Sequence, residues 1–416
     1  MDKNYDVVVI GSGAAGLIAT IQSAQNGNTT LLLEKLPKLA SKLKATGGGR
    51  CNLSNTLDNE TFMKSFGKNG RFMRDALEVL DHKKLMEFFK SIGVDTHIPD
   101  GFRIFPTTHN SNTIIEALKN KLLELHVEIK TNQKLQNIVI NNNNIVAVKT
   151  QSTSYNTNKI ILATGGLGYP TLGATGDGYE VVKSLGHSIT NIYPAMMPLH
   201  TVEKWQAHCT ADTIAKVTIK VDSKENKIKK LKATGDLIFT KKGLRGPVIL
   251  DFAREITPHL DTFKEVPILI NLTKGMNEDA ILQHIKNETT KNPQSSIEEQ
   301  LSKLLPLSVI KELCRLCEID STQTFKNISG ITKNKLIKIL AWTPFTINGH
   351  DGFDKAMITR GGISLKEINP KTMQSKIING LYFAGEIIDL DGPCGGYNLQ
   401  WAFSSGYLAG KLLSIF

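Results

Sequence analysis

At 416 residues the chain is long enough for two or three domains with a sizeable core, and 40% apolar with 21% charged residues is the composition of a globular protein. No apolar run approaches the ~20 residues that cross a bilayer, and five cysteines scattered from Cys51 to Cys394 argue against a disulfide framework. The formal net charge of +11 comes mainly from lysine and is densest at residues 224–232, which reads as a solvated hairpin arm. Nucleic-acid surfaces favour arginine with interleaved aromatics, so nucleic acid is not the expected partner.

Asp6-Val7-Val8-Val9-Ile10 predicts a buried parallel strand. Gly11-Ser12-Gly13-Ala14-Ala15-Gly16 follows it, residues 17–26 carry a helical pattern, and residues 29–33 predict a second strand that ends at Glu34. Strand, glycine turn, helix, strand and acid form the dinucleotide fingerprint in the context that gives it meaning. Gly11 makes the turn, Gly13 lets a pyrophosphate approach the backbone, and Gly16 lets the helix pack on the sheet. The free N–H groups and positive end of the helix suit phosphates. Glu34 suits ribose hydroxyls and repels a 2′-phosphate. The fingerprint leaves FAD and NAD both open. Because the first strand begins at Tyr5 with no basic and apolar leader before it, a cytoplasmic location is expected.

Gly47-Gly48-Gly49-Arg50-Cys51-Asn52 stands where a simple NAD domain has a helix, and it reads as a loop that closes on a ligand. Residues 62–89 read as helices. Gly101 to Pro106 is a short strand or turn, and Ser111 is a candidate N-cap for a helix over 113–125. Strands are expected at 127–131, 135–140 and 145–151, the last two joined by the polar turn Asn141 to Asn144. Another strand, 159–162, runs into Ala163-Thr164-Gly165-Gly166, a second strand-to-glycine turn. Gly173 to Gly178 has glycines but no preceding strand, so a second dinucleotide unit for NAD(P)H is missing.

Near Pro194 the texture changes. Residues 199–270 alternate in short runs and predict an antiparallel sheet or small barrel, and 277–340 turn helical. Cys314 and Cys317 fall in that helical stretch and read as buried helix residues, since no second pair or histidines stand at zinc spacing. At the end, Leu381-Tyr382-Phe383-Ala384-Gly385-Glu386 is a strand running into glycine and an acid. Asp391-Gly392-Pro393-Cys394-Gly395-Gly396-Tyr397-Asn398-Leu399-Gln400 then opens a helix of small residues over 401–413. Four glycine turns thus end strands or open helices. A flavin dinucleotide, held along its whole length, needs them all, and a nicotinamide dinucleotide does not.

On these residues the chain resembles the two-dinucleotide-binding-domain flavoproteins and, within them, the BaiN/YhiN-type group, also called aminoacetone-oxidase-like FAD-binding proteins. The resemblance covers nearly the whole chain. It is most specific at Gly47 to Asn55, Arg103-Ile104-Phe105-Pro106, Thr359-Arg360-Gly361-Gly362 and Leu381 to Gly410. It implies extended FAD, with Gly11, Gly13, Ala14 and Ala15 at the pyrophosphate and Glu34 at the adenosine ribose, and it counts Gly16 and Lys35 among the cofactor-binding residues beside them. It places Gly48, Gly49, Arg50 and Asn52 along the ribityl–flavin side and Leu135 at adenine. Ala163, Thr164 and Gly165 would cover the adenosine half. Gly385 and Glu386 resemble a late Gly-Asp motif with Glu for Asp, and Gly396, Tyr397, Asn398 and Leu399 would set a helix N-terminus at the flavin N1/O2 edge.

The implied architecture is α/β, a Rossmann-like FAD-binding domain of the glutathione-reductase-like type interrupted by a β-barrel-like insert carrying a small helical insert. The segments are 1–193 and 348–416 for the FAD-binding domain, 194–275 and 331–347 for the barrel, and 276–330 for the helices. The expected activity is an FAD-dependent oxidoreductase acting on a small organic substrate, with NAD(P)H as a transient donor. The alternatives are a dioxygen-using, amine-oxidase-like enzyme and an FAD-holding nucleic-acid-interacting protein. Family members are associated with reduction of enone-type steroids and with oxidation of aminoacetone, so substrate class does not transfer. Cys51 stands alone where a redox disulfide would need two cysteines. The ten histidines are dispersed, no metal site is expected, and oligomeric state is open. Arg50 and Tyr397 are the first residues to test as donors to a substrate carbonyl, with cofactor contact or packing as the competing roles.

Overall fold

The computed structural model describes residues 4–414. They divide into two compact units, one formed by the chain up to Tyr193 and from Met357 onward, the other by Pro194–Ala356. The first unit is built on a five-stranded parallel sheet in the order Leu381–Phe383, Ile160–Leu162, Val7–Ile10, Thr30–Leu33, Glu128–Lys130. Every residue of the first four of these strands is buried, and Val7–Ile10, Ile160–Leu162 and Leu381–Phe383 read as unbroken apolar runs for that reason.

Register does the positioning. Ile10 pairs with Leu33 on one side and Leu162 on the other, and Leu162 pairs with Phe383. The next residues, Gly11, Glu34, Ala163 and Ala384, therefore leave the sheet in one row at its carboxyl edge. The strand order reverses about Val7–Ile10, so this row is the crevice where open α/β sheets take ligands.

Two helices brace the sheet. Ala14–Gln25 follows the first glycine turn, and Tyr397–Gly410 lies against it at close range. A Cβ on Gly406 would stand 2.3 Å from the Ala15 carbonyl oxygen, and one on Gly410 2.6 Å from that of Ala19. The small residues of the last helix thus let two backbones touch. A second sheet holds Asn4–Tyr5, Ser154–Thr157, Asn144–Thr150 and Leu135–Asn141. Its Asn142-Asn143 turn has φ of 47° and 60°, the left-handed pair that a two-residue hairpin requires.

In the second unit six antiparallel strands close into a barrel, in the order Leu199–Thr201, Gly243–Arg245, Lys232–Phe239, Thr213–Val221, Val266–Asn271 and Thr343–His350. Trp205 packs on Phe239 and Phe345 within it, at ring distances of 5.7 and 5.1 Å. Helices Pro247–Phe263, Glu278–Lys291, Ile297–Leu301, Leu307–Leu316 and Gly330–Ala341 complete the unit.

Three local expectations shift. The expected seam at 347/348 falls inside the last barrel strand, because pairing of Leu199 with His350 carries that strand past the polar Asn348. The segment from 331, expected with the barrel, begins as the helix Gly330–Ala341. The cap of helix Ser111–Glu124 is Asn110, whose side chain accepts from the Asn112 N–H, while the Ser111 hydroxyl donates to the Lys44 carbonyl. None of the five cysteines forms a disulfide. Burial pushes the Cys314 thiol up to about 12, so it is a packed thiol, not a thiolate ligand. Among the described residues no group of His, Cys, Asp or Glu could hold a metal ion, and no helix is long and apolar enough to cross a membrane.

Candidate functional site: the glycine crevice

The glycines of the crevice separate into two physical kinds. Gly11, at φ +99°, and Gly16 are packing positions. A Cβ on Gly11 would lie 2.5 Å from the Ala163 carbonyl oxygen, and one on Gly16 1.8 Å from that of Gly11. Gly13 is different, because nothing lies within 4 Å of where its Cβ would be. Gly48, Gly49 and Gly165 are equally open. Between them the chain presents bare backbone to free space at three separate turns, a cradle that side chains would fill and an extended ligand fits.

The helix Ala14–Gln25 is capped by Gly13 with no side-chain hydrogen bond and no acid in its first turn. Its first N–H groups and its positive end are left for an anion. Glu34 closes the other side. Its Oε2 accepts from the Ser12 N–H at 2.9 Å and from the Ser12 hydroxyl, and its Oε1 accepts from the Leu36 N–H at 2.8 Å. A carboxylate has about four acceptor sites, so Glu34 stiffens the glycine turn and keeps one acceptor position at Oε1. Lys35 turns elsewhere. Its Nζ lies 2.8 Å from Asp177 and also donates to Thr175, so its charge ties the strand end to the 175–177 turn. Burial works to raise the Asp177 carboxyl, but the Lys35 bond and charge outweigh it and leave it below its ordinary value.

Thr46–Gly49 forms a tight turn, and Asn52 is its anchor. With the amide nitrogen toward Ser54, Asn52 donates to the Ser54 carbonyl at 3.0 Å and accepts from the Gly396 N–H at 3.1 Å. Asn52 therefore joins this loop to the start of the last helix. Arg50 is exposed, donates from Nε to the Gly47 carbonyl at 3.2 Å, and lies over the Phe105 ring at 5.5 Å. Cys51 is fully buried, and burial pushes its thiol up to about 12 despite a bond to Thr46 that works the other way.

At the far end of the row, the Gly385 N–H donates to the Ser405 hydroxyl at 2.9 Å. Glu386 is held by the chain itself: Oε1 accepts from the Thr359 N–H at 2.8 Å, and Oε2 meets Lys42 Nζ at 2.7 Å. The Thr359 hydroxyl in turn accepts from the Leu167 N–H at 2.7 Å, next to Gly165 and Gly166. Gly396, at φ +88°, caps the last helix, and a Cβ there would stand 2.4 Å from the Ser54 carbonyl oxygen. Asn398 clamps the preceding turn, accepting from the Gly392 N–H at 2.8 Å and donating to the Gly392 carbonyl at 2.9 Å. Tyr397 is 8% exposed and packs with Phe62 at 5.0 Å and Phe66 at 6.1 Å. Leu399 is half-buried in the first turn of this helix.

The structure thus brings Gly11 to Gly16, Glu34, Ala163 to Gly165 and Gly385-Glu386 to one sheet edge, and joins Asn52 to Gly396. Leu135 opens an edge strand of the other sheet, reached through Gln133, whose N–H donates to the Glu34 carbonyl at 2.9 Å. Thr164 Oγ1 is buried with no hydrogen-bond partner, a polar atom waiting for one. Lys42, Thr359 and Ser12 were not foreseen as site residues. Ser12 and Thr359 stand in stretches that drew notice, but their side-chain roles were hidden because the partners of Lys42, Thr359 and Ser12 lie 344, 192 and 22 residues away.

These features fit FAD. An extended dinucleotide needs open backbone at several turns, a helix end for its phosphates, and unspent polar atoms along its length. The chain matches the HI0933-like protein Rossmann domain family over residues 5–412. It is 29% identical over 407 residues to the 3-dehydro-bile acid delta(4,6)-reductase of Clostridium scindens, covering 97% of each chain. It is 27% identical over 421 residues to a ribosomal RNA dihydrouridine synthase of Haemophilus influenzae, covering all of both. In fold it is similar to the 3-ketosteroid delta1-dehydrogenase of Sterolibacterium denitrificans, with a TM-score of 0.52 at 12% identity over 98% of this chain and 99% of that one. The chain belongs to the HI0933-like Rossmann family and is an FAD-dependent oxidoreductase.

Proposed function

We propose that this enzyme takes electrons from NAD(P)H and reduces a carbon–carbon double bond conjugated to a carbonyl. The observation that carries this reading is the end-to-end match to two relatives whose names describe the same bond chemistry on unrelated molecules. A 3-dehydro-delta(4,6) bile acid has its double bonds conjugated to the 3-ketone, and dihydrouridine is uridine saturated at the double bond conjugated to its 4-carbonyl. The balance is NAD(P)H plus a proton plus C=C giving NAD(P)+ and CH–CH, with hydride added at the β-carbon and a proton at the α-carbon.

FAD, when bound, supplies the two-electron hydride chemistry. The chain's part is to hold it. In this reading Gly11, Gly13, Ala14 and Ala15 face the pyrophosphate, and Glu34 uses its spare acceptor at the ribose. Gly48, Gly49 and Gly165 give backbone room, and the Tyr397–Gly410 helix sets its positive end where negative charge develops on reduction. Of the two side chains first considered as donors to substrate, Tyr397 is committed to an aromatic cluster and Arg50 is exposed. Cysteines that form no disulfide and the need for a reduced nicotinamide supply agree with a cytoplasmic enzyme.

The test is spectroscopic. The purified holoenzyme, kept anaerobic, should show a flavin band that bleaches with NADH or NADPH and returns on addition of a 3-oxo-Δ4 steroid. The same reduced enzyme should be offered a uridine-containing RNA transcript, because the Haemophilus relative's name makes a uracil ring the second substrate to test. A mass gain of two hydrogens identifies the acceptor. A flavin reoxidised by dioxygen and by neither alkene would replace this reading with an oxidase.

A further inference from the structure

A nicotinamide donor must be anchored by its phosphates while its ring lies against the flavin. Among the described residues, the strand-and-glycine turn of dinucleotide type occurs once, and FAD takes it. Something else must hold the donor.

Arginine is scarce in this chain, eight against forty-two lysines, yet two of the eight meet on one ring. Arg50 lies over Phe105 at 5.5 Å and Arg103 at 5.8 Å. Each guanidinium is tethered through Nε, Arg50 to the Gly47 carbonyl at 3.2 Å and Arg103 to Asp100 at 2.5 Å. Each guanidinium is thus held by one Nε bond and one shared ring, and both side chains are exposed. Asp100 is spent on its own loop, since it also accepts from the Phe102 and Arg103 N–H groups at 3.1 and 2.7 Å. Arg50 has no carboxylate partner among the described residues. His109 borders the ring at 5.5 Å, and His97, 4.5 Å from His109, has a buried Nε2 without a partner. Two pre-set planar forks with a surplus of positive charge are suited to a phosphate rather than to a neutral group. The platform also adjoins the open Gly48-Gly49 backbone.

We propose that Arg50 and Arg103, stacked on Phe105, form the phosphate-binding fork that captures the reduced nicotinamide dinucleotide. This rests on the reading of NAD(P)H as electron donor. A purely structural pair would serve the 100–103 turn and would not distinguish one donor from another.

The experiment is anaerobic stopped-flow reduction of holoenzyme by NADH and by NADPH, for the wild type, Arg103→Gln, Arg103→Lys and Arg50→Gln, with flavin content checked by absorbance. Removal of one charged fork should raise the donor's apparent Kd about tenfold, with the limiting rate changed far less, and Arg103→Lys should restore part of the loss. Inorganic pyrophosphate should compete with the donor in the wild type and lose potency in Arg103→Gln. A rise for both donors assigns the pyrophosphate, and a rise for NADPH alone assigns the 2′-phosphate. Unchanged Kd values in both glutamine variants, or no competition by pyrophosphate, would overturn the fork. If neither nicotinamide reduces the wild type, the donor reading fails by itself. Titration of oxidised holoenzyme with pyrophosphate then decides the fork separately: binding that weakens in Arg103→Gln keeps a phosphate site, and no binding overturns it.

Discussion

The two turns that open the bracing helices look alike and are built differently. Gly11 to Gly16 precedes Ala14–Gln25, and Gly392 to Gly396 precedes Tyr397–Gly410. Both helices are capped by glycine, lack a side-chain cap and carry no acid in the first turn. The N-terminal turn is shaped by its neighbours in sequence and by Ala163, the residue after an adjacent strand. The C-terminal turn is shaped by a distant loop. Gly396 is glycine because of the Ser54 carbonyl, and its N–H is taken by Asn52. A glycine motif is therefore not one thing: within these turns some glycines make room for protein and others face open space.

Substitution by alanine separates the two kinds. Gly16→Ala, with its Cβ 1.8 Å from the Gly11 oxygen, should cost about 3 kcal/mol or more and abolish FAD retention, seen as a lower urea midpoint and a colourless product. Gly396→Ala should cost ~2 kcal/mol, from a left-handed backbone and a 2.4 Å contact, and should weaken the tie to residues 52–54. Gly13→Ala is the contrast. Its Cβ meets no protein atom and its φ of −71° suits alanine, so the apoprotein should melt within ~0.5 kcal/mol of the wild type. FAD affinity should nonetheless fall at least tenfold by fluorescence titration. An apoprotein strongly destabilised by Gly13→Ala would break the comparison, because the glycine would then be serving packing.

The smallest expected effect concerns how the C-terminal segment is tied down. His187 is buried, with Nδ1 3.1 Å from Glu367 and Nε2 2.9 Å from the Ser375 hydroxyl. Burial lowers the His187 pKa below its ordinary 6.5, although the Glu367 bond opposes this, and the Glu367 carboxyl is also held low by Ser188 and His187 against its own desolvation. Both shifts are downward, so the unfolded chain binds more protons as pH falls. Stability present above pH 6.5 is lost on acidification, first through His187 and at lower pH through Glu367. The melting temperature should fall between pH 7 and pH 5, and His187→Gln should flatten the first part of that slope.

Much of the fold was legible because its signals are local. Val7 to Ile10, Ile160 to Leu162 and Leu381 to Phe383 are apolar runs too short for helices, each ending in a small residue at the same sheet edge. The change of texture at Pro194 marked the second unit, since alternation and helical periodicity need only neighbouring residues to show. The Ser111 cap was misplaced by one residue because Asn110 and Ser111 are both good caps and only the contact of Ser111 with Lys44 chooses between them. Lys35 looked like a site residue from its place beside Glu34, and its 142-residue-distant partner Asp177 was invisible.

By itself the sequence determined the dinucleotide turn, the parallel strands, the barrel-then-helix order of the second unit and the glycine-rich entry to the last helix. These follow from periodicity, backbone freedom and side-chain type, all properties of short segments. Only the tertiary structure decided which glycines face protein and which face open space, that Glu34 and Glu386 are braced by Ser12, Thr359 and Lys42, that Tyr397 belongs to an aromatic cluster, and that Arg50 and Arg103 share a ring. Those outcomes depend on where strand register and helix packing bring residues hundreds of positions apart, and no local pattern encodes such distances.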